Sequence, residues 1–253
     1  MNDPTRVDTV RDGAVLVITL QRTARRNAFD RQLADALDAA LNTLDDDPAL
    51  RAGVLTGGTD MFSAGSDLAS NGDYVTERGG EYGVIRRQRR KPLIAAVEGV
   101  ALGGGMEVVL SCDMVVAADT ARFGLPEVMR GLLPTCGALF RTAQRLPANV
   151  ARELVLTGLP MDASRAHALG LVNAVTPPGQ ALERAVAMAQ QLAANAPLSV
   201  QASLGAMNAM LAMGDAQGWE ATAAALNVIR SSEDLQEGIR AFFEKRAPVW
   251  KGC

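Results

Sequence analysis

The sequence contains very little histidine and cysteine. His167 is the single histidine in 253 residues, so a Ser-His-Asp triad or a histidine-rich metal site has almost no material. The three cysteines, Cys112, Cys136 and Cys253, are far apart and form no Cys-x-x-Cys pair, which indicates neither a disulfide framework nor a zinc site. Proton transfer near neutral pH must therefore fall mainly to carboxylates.

Long hydrophobic runs are absent too. The first residues, Met1–Asp8, show no apolar stretch of signal-peptide length, and no later run reaches the roughly 18 apolar residues of a membrane helix. The 25 basic and 28 acidic residues give a net charge of −3, opposite in sign to that of a general nucleic-acid or anionic-membrane binder. We expect a soluble, cytoplasmic protein with no nucleic-acid or membrane partner.

Short apolar strands alternate with helical patterns in the first part of the chain. The leucines at 33, 37, 41 and 44 follow the helical period, and the apolar fraction of 48% is that of a globular protein. This alternation predicts an α/β fold. The predicted strands are Val15–Leu20, Gly53–Thr56, Pro92–Val97, Met114–Ala118 and Arg122–Gly124, with a further strand signal at Leu171–Val175.

Beyond about Ala148 the pattern becomes mostly helical. We predict a boundary near Pro197, with a core at residues 1–196 and an α-only region at 197–253. The second region carries more apolar side chains than three short helices can easily cover alone. It is therefore expected to pack on another part of the chain or on another subunit.

Two glycine-containing loops could bind an oxygen that carries negative charge. Phe62–Leu68 and Gly99–Glu107 each run through small residues into a predicted helix start. The first N–H groups of a helix lack intrahelical acceptors, so two such ends meeting at one pocket would form an oxyanion hole. Taken singly, each loop is better explained as ordinary turn chemistry.

Two carboxylates accompany these loops. Glu107 falls in the first turn of a predicted helix, and Glu127 directly follows a short strand. Brought together beside a dry pocket, they could hold a water molecule and exchange protons. A glutamate in a first helical turn is also an ordinary partner of the helix dipole.

Seven short motifs occur in register along the chain: Asn27–Phe29, Phe62–Leu68, Ala101–Glu107, Cys112–Asp113, Phe123–Glu127, Gly170–Asn173 and Phe242–Pro248. Together they resemble the enoyl-CoA hydratase/isomerase (crotonase) superfamily. The resemblance implies a spiral of ββα units, a C-terminal helical oligomerisation region that builds trimers or hexamers, and an acyl-CoA thioester as ligand.

The resemblance also implies roles for particular residues. The backbone N–H groups of Ser66 and Gly104 would hold the thioester oxygen, while Glu107 and Glu127 would act on water and on C2 of a 2-enoyl-CoA. No metal and no redox cofactor would be needed, because coenzyme A is part of the substrate. The positions that would contact substrate or CoA are Arg25, Ala64, Asp67, Leu68 and Lys245.

The expected activity is enoyl-CoA hydration in fatty acid metabolism. The alternatives are an isomerase of the same fold, in which one glutamate moves a proton between C2 and C4, and a non-catalytic acyl-CoA binding protein. A serine nucleophile at Ser66 is disfavoured because the flanking glycines of the nucleophile elbow are missing. A dinucleotide fingerprint is disfavoured because Val108 stands where its third glycine is required.

Some segments depart from the family pattern. Arg22-Thr23 replaces Arg-Pro in the first CoA-contacting loop, and Thr135-Cys136 replaces smaller residues near Glu127. The stretch Ala69–Ile85 matches no usable pattern, so acyl length stays open. The basic run Arg86–Lys91 is expected to be a solvated helix face, or otherwise to contact CoA phosphates or a neighbouring subunit.

Overall fold

A six-stranded sheet forms the centre of the molecule. The structure, a computed structural model, describes residues 6–70 and 74–252. Within these residues the strand order is β1-β2-β3-β6-β8-β11; β1 and β2 form an antiparallel hairpin, and every other neighbouring pair is parallel. The strands are β1 (Val7–Asp12), β2 (Val15–Leu20), β3 (Ala52–Thr56), β6 (Leu93–Val97), β8 (Met114–Ala118) and β11 (Ala174–Thr176).

Smaller sheets flank the large one. The first has the order β10-β9-β7, and the second pairs β4 with β5. Successive strands therefore go to different sheets before the chain enters a helix, as in the β6-β7-α2 unit, which gives a spiral of ββα units. These strands are β4 (Val75–Thr76), β5 (Gly80–Glu81), β7 (Val100–Leu102), β9 (Arg122–Gly124) and β10 (Met161–Asp162).

Helices cover both faces of the large sheet, which explains why its central strands β2, β3, β6 and β8 are almost wholly apolar. The helices of this region are α1 (Arg31–Asp46), α2 (Gly104–Ser111), α3 (Ala138–Arg145), α4 (Ala148–Thr157), α5 (Ala163–Ala168) and α6 (Ala181–Ala193). Helix α1 buries all four of its periodic leucines, each worth about 1.5–3 kcal/mol, and Asp30 caps it by accepting from the Leu33 N–H at 2.9 Å. The buried alanines of α6 pack against the other face.

The predicted strands of the large sheet are largely confirmed, with several differences. Strand β1, which forms a hairpin with β2, was not predicted, and neither were the short strands β4, β5, β7 and β10. The last sheet strand covers Ala174–Thr176 rather than Leu171–Val175. The helix start expected after Ser66 is only a 3-10 turn, Leu68–Ser70, which is closed by the bond from the Ser70 N–H to the Asp67 carbonyl.

The basic run Arg86–Lys91 is not a solvated helix face, and this prediction was wrong. Arg87, Arg89 and Lys91 are buried in a non-helical segment. Each one has acidic or carbonyl partners: Arg87 contacts two aspartates of α1, Arg89 contacts Asp113, and Lys91 donates to carbonyls at the end of α1. Burial is tolerated because these charges are paired and hydrogen-bonded.

The C-terminal helices begin at Pro197, where the boundary was predicted, although the division into two domains stays a prediction. They are α7 (Pro197–Leu211), α8 (Asp215–Arg230) and α9 (Glu233–Glu244). Helix α8 packs against α3, and α9 packs against the 3-10 helix Pro126–Arg130. Helix α7, all of which the structure describes, contains no buried residue.

Candidate active site

The two glycine-containing loops lie side by side. The Ser63 N–H donates to the Val100 carbonyl, and the Leu102 N–H donates to the Ser63 carbonyl, each at 3.0 Å. This short parallel pairing continues strand β7 and brings Ser66 alongside the start of α2. The predicted meeting of two loops that are distant in sequence is therefore present in the fold.

Gly65 allows a close approach between these loops. Its φ of +101° is in the left-handed region, and a Cβ atom there would lie 2.8 Å from the Leu102 carbonyl oxygen and 3.1 Å from the Gly104 nitrogen. A side chain at this position would force the two loops apart. Glycine is thus required both for the backbone conformation and for the contact.

Asn27 fixes the first loop from behind. Its fully buried side chain donates to the carbonyls of Gly57 and Phe62 at 2.9 and 3.1 Å, and its Oδ1 accepts from the Arg22 N–H. The Ser63 hydroxyl in turn donates to the Asn27 carbonyl. The Asn27–Phe29 motif therefore acts structurally, by tying three loops together.

Helix α2 begins at the contact between the loops. Gly103, with φ +54°, is its N-cap, and the Gly103 N–H donates to the Gly124 carbonyl at 2.9 Å. The N–H of Gly104 lies in the first turn, where the helix itself supplies no acceptor and the helix dipole is positive. This geometry suits an oxygen that develops negative charge.

Glu107 lies one turn into α2 and is 2% exposed. Its Oε1 accepts from the backbone N–H groups of Cys136 and Ala138 at 2.7 and 3.1 Å. Both amides belong to the beginning of α3, whose N-cap Gly137 has a φ of +98°. Backbone amides at a helix start stabilise a negative charge, so the surroundings of Glu107 favour its ionised form.

Glu127 reaches the same helix start from the other side. It lies in the first turn of the 3-10 helix Pro126–Arg130 and is half-buried. A Cβ atom at Gly103 would lie 3.2 Å from the Glu127 Oε1. The Glu107 N–H donates to the Gly103 carbonyl at 3.0 Å, so both glutamates flank the first turn of α2.

The structure thus places four of the predicted residues around one helix start. Ser66 and Gly104 lie on the two loops, and Glu107 and Glu127 approach from two further segments. Such an arrangement can polarise a carbonyl oxygen and move protons at neighbouring atoms. The individual roles of these residues toward a substrate stay predictions.

Asp67 is held by an ion pair with Arg22. The Arg22 Nη2 is 2.8 Å from the Asp67 Oδ2, and Arg22 Nε is equally close to Asp30. Burial by itself would raise the pKa of Asp67, but hydrogen bonds from Arg22 and from the Ala69 N–H outweigh it and lower that pKa. The carboxylate therefore ties the Phe62–Leu68 loop to Arg22, which directly precedes a 3-10 helix, Thr23–Arg25.

The other predicted substrate-binding positions are found on accessible surface around the site. Arg25 and Leu68 are exposed, and Ala64 is half-buried with its N–H bonded to the Arg26 carbonyl. Lys245 is exposed at the end of α9, the helix that packs against the Glu127 segment. Their contact with a ligand stays a prediction.

Arg141, on α3, is a residue that the sequence analysis missed. Its Nη1 donates to the Ser111 hydroxyl at 2.7 Å, and that hydroxyl donates to the Glu107 carbonyl. Burial lowers the pKa of Arg141, whereas the negative charges of Asp215 and Glu107 act in the opposite direction. The only sequence feature that could have indicated Arg141 is its position four residues after Gly137.

Tyr82 was missed as well, since it lies in the stretch Ala69–Ile85 that matched no pattern. Its hydroxyl shares a hydrogen bond with the Ser66 hydroxyl. Cys136 is buried and donates its backbone N–H to Glu107. Thr135 is half-buried beside it, with its hydroxyl 3.8 Å from the Cys136 sulfur.

The remaining candidate groups have structural surroundings. His167 lies in α5 with its Nδ1 2.8 Å from the Val172 carbonyl, a partner only five residues away in the chain. Across residues 6–70 and 74–252, no cluster of three potential metal ligands occurs. In the same part of the chain, no helix has the length and apolar character needed to cross a membrane. The predicted cytoplasmic location stays a prediction.

Comparison with known proteins places this arrangement in a family. The sequence model described as enoyl-CoA hydratase/isomerase matches residues 11–253. The chain is 41% identical to a putative enoyl-CoA hydratase of Thermus thermophilus, over 94% of this chain and 98% of that protein. It is 38% identical to a carnitinyl-CoA dehydratase of Salmonella typhi, over 96% and 97% of the two chains.

Solved structures agree with these matches. A carnitinyl-CoA hydratase from Mycobacterium avium superposes with a TM-score of 0.93 at 41% identity, covering 99% of this chain and 100% of that one. An enoyl-CoA hydratase from Mycobacterium tuberculosis gives a TM-score of 0.79 at 39% identity, covering 98% and 100%. The chain therefore belongs to the enoyl-CoA hydratase/isomerase (crotonase) superfamily, with the crotonase fold and a hydratase/isomerase-type activity in CoA-thioester metabolism.

Proposed function

We propose that this protein catalyses the reversible addition of water across the C2–C3 double bond of a 2-enoyl-CoA thioester, giving a 3-hydroxyacyl-CoA. The observation that supports this most directly is the position of two glutamates on either side of the first turn of α2, beside the Ser66 loop. Family members that hydrate 2-enoyl-CoA use two glutamates, and both are present here.

The reaction begins with polarisation of the thioester. The N–H groups of Ser66 and Gly104 donate to the carbonyl oxygen and stabilise the enolate that forms as C3 is attacked. Each well-placed donor of this kind contributes about 100- to 1,000-fold in rate. The positive end of α2 adds to this stabilisation because Gly104 is the first residue of that helix.

The two carboxylates complete the proton balance. Glu107 takes a proton from water as the water oxygen bonds to C3, the electrons of the double bond move to the enolate, and Glu127 gives a proton to C2. One glutamate thus gains a proton and the other loses one, so the enzyme has no net change in protonation. Proton exchange with solvent then returns each glutamate to its starting state. The reaction needs no cofactor beyond the coenzyme A carried by the substrate.

The CoA moiety is assigned to the accessible residues around the site. Arg25 and Lys245 supply positive charge for its phosphates, and Ala64, Asp67 and Leu68 lie on either side of Ser66 in the same loop. The relatives named carnitinyl-CoA dehydratase and carnitinyl-CoA hydratase indicate that short, polar acyl groups belong among the substrates to test.

The activity is tested with a chain-length series of 2-enoyl-CoA esters that includes short hydroxylated or cationic acyl groups. Loss of the enoyl thioester absorbance, with 3-hydroxyacyl-CoA identified by mass, is the expected result. Turnover of 3-enoyl-CoA without hydration of any 2-enoyl-CoA would establish the isomerase alternative instead. Tight binding of CoA esters without turnover of any of them would establish a non-catalytic binding protein.

Self-association as a trimer or hexamer is part of this proposal. The apolar side chains of α7 are largely exposed, with Met207 at 64% and Met210 at 69%, a surface typical of a subunit interface. Light scattering is expected to give the mass of a trimer or of two trimers. Met207→Glu with Met210→Glu should shift this mass toward the monomer, and a wild-type protein that is a stable monomer would refute the assignment.

A further inference from the structure

Tyr82 occupies a tightly constrained place in the segment that precedes β6. It is 1% exposed and has a φ of +54°, a conformation that residues with a side chain adopt rarely. Its N–H donates to the Tyr74 carbonyl at 2.8 Å. The adjoining Gly83 packs so closely on α1 that a Cβ atom would lie 2.6 Å from the Ala34 carbonyl oxygen. The surrounding turn therefore holds Tyr82 in its unusual conformation.

The phenol group of Tyr82 touches both loops of the candidate oxyanion hole. Its hydroxyl shares a hydrogen bond with the Ser66 hydroxyl. Its ring stands against the Cα of Gly104: a Cβ there would lie 2.6 Å from the phenol oxygen and 2.8 Å from Cζ. The Tyr82 ring therefore leaves no room for a side chain at position 104, and a glycine is required there.

The ring of Phe29 packs against the ring of Tyr82. The two ring centroids are 4.8 Å apart, and Phe29 is fully buried. The Phe29 N–H donates to the Gly65 carbonyl at 2.8 Å, and the Asp67 N–H donates to the Phe29 carbonyl at 2.9 Å, so the backbone on each side of Ser66 is fixed to Phe29. Tyr82, Phe29 and the Ser66 loop thus form one packed unit.

We propose that Tyr82 is a positioning residue that sets the spacing of the two oxyanion-hole amides, through its hydrogen bond to Ser66 and its contact with Gly104. This inference rests on the proposed function, since it assumes that a thioester oxygen binds between these loops. Donors must lie within a few tenths of an ångström of their best position to stabilise the developing charge, so a spacer between them affects the chemical step more than substrate binding.

The test removes the hydroxyl and keeps the ring. Tyr82→Phe should lower kcat by about five- to tenfold, an order of magnitude less than loss of an oxyanion donor itself, and leave KM within about twofold. Ser66→Ala should have a similar effect, and the double variant should be no slower than the slower single variant because both changes remove the same hydrogen bond.

Tyr74 supplies a matched control, because it is the chain's only other tyrosine and its hydroxyl donates to the Ser70 carbonyl in a neighbouring segment. Tyr74→Phe removes a hydroxyl without touching Ser66 or Gly104, so kcat should be that of the wild type. Melting temperatures of both variants show whether either change acts merely through stability.

Infrared difference spectra measure carbonyl polarisation directly. The probe is butyryl-CoA labelled with carbon-13 at the thioester carbonyl, bound to the intact protein. Wild type and Tyr74→Phe should lower the carbonyl stretching frequency equally, and Tyr82→Phe should lose part of that shift. A merely structural role for Tyr82 would change the melting temperature and leave the shift unaltered, which would overturn the proposal.

The same spectra separate this inference from the proposed function. A wild-type protein that shifts the carbonyl frequency but hydrates no enoyl-CoA would overturn the proposed function and leave the test of Tyr82 valid. A wild-type protein that binds butyryl-CoA without any shift would overturn the role of Tyr82. Failure to bind any acyl-CoA would overturn both.

Discussion

The two glutamates at the start of α2 have unlike surroundings. Glu107 belongs to a regular helix, is buried, and accepts two backbone N–H groups from the beginning of α3. Glu127 lies on a five-residue 3-10 helix, is half-buried, and approaches Gly103 from the side. Fixed dipoles around Glu107 favour its charged form and so fit its proposed role as a base, whereas Glu127, half-buried beside Gly103, fits the proposed role of a proton donor.

Conversion of either glutamate to glutamine should give the largest effects. Glu107→Gln and Glu127→Gln should each lower kcat for hydration by about 100- to 10,000-fold, because each removes a proposed proton-transfer group. Affinity for a saturated acyl-CoA, measured by calorimetry, should stay within a few-fold of wild type. Full activity in either variant would remove that residue from the chemistry.

The same two variants should also differ in their free energy of unfolding, because the two glutamates have different surroundings. Glu107→Gln weakens two buried charge-assisted hydrogen bonds and should lower the free energy of unfolding by about 1 kcal/mol. The half-buried Glu127 should tolerate the change with a smaller loss. Urea denaturation of the two variants provides the measurement, and equal losses would contradict the difference described here.

Two glycines allow each setting to be disturbed separately. Gly137→Ala strains the loop that holds Glu107, and Gly103→Ala adds a methyl group 3.2 Å from the Glu127 Oε1. Because both have a positive φ, each change should cost about 1–2 kcal/mol of stability. Displacement of the nearby carboxylate should also lower kcat by about 10- to 100-fold.

Gly170→Ala is the matched control for these glycine changes. Gly170 also has a positive φ, of +82°, but nothing lies within 4 Å of its Cβ position. Its replacement should lower stability by a similar amount and leave kcat unchanged. If Gly170→Ala impaired catalysis equally, backbone strain alone would explain the losses at Gly103 and Gly137.

The sequence predicts most of this arrangement because its strongest signals are local. The four leucines of α1 and the β-rich runs that become β2, β3, β6 and β8 specify elements directly. The glycines at 65 and 103–105 indicate where backbones approach. Family motifs then add the two glutamates, whose common helix start could not be worked out from spacing alone.

What the sequence did not reveal depends on contacts between distant segments. Tyr82 sits in a stretch without periodicity, and only the folded chain brings its hydroxyl to Ser66. The basic run Arg86–Lys91 resembles a solvated surface until Asp38, Asp45 and Asp113 are placed beside it. Such pairings combine residues far apart in the chain, and no local pattern predicts them.

Substitution of Arg141 should change the surroundings of Glu107 without affecting Glu127, and its effect should be smaller. Arg141→Met removes a positive charge and the hydrogen bond to Ser111, so kcat should fall by about tenfold with little change in KM. Protonation of Glu107 becomes easier without this cation, and the acid limb of the kcat profile should move to higher pH. Arg141→Lys keeps the positive charge and should return the acid limb to its wild-type pH. If the acid limb does not move in Arg141→Met, Arg141 has only a structural role.

The smallest expected effect concerns the contribution of the C-terminal helices to the Glu107 setting. Asp215, in the first turn of α8, lies 3.7 Å from Arg141, and its removal leaves Arg141 bonded to Ser111. Asp215→Asn should therefore change kcat by about twofold or less, since the pair is long and partly solvated. Glu233→Gln is the control, because Glu233 is also in a first helical turn but pairs with Lys251 at the surface. A loss in Asp215→Asn as large as that in Arg141→Met would mean that α8, and not the amides of α3, determines how Glu107 is held.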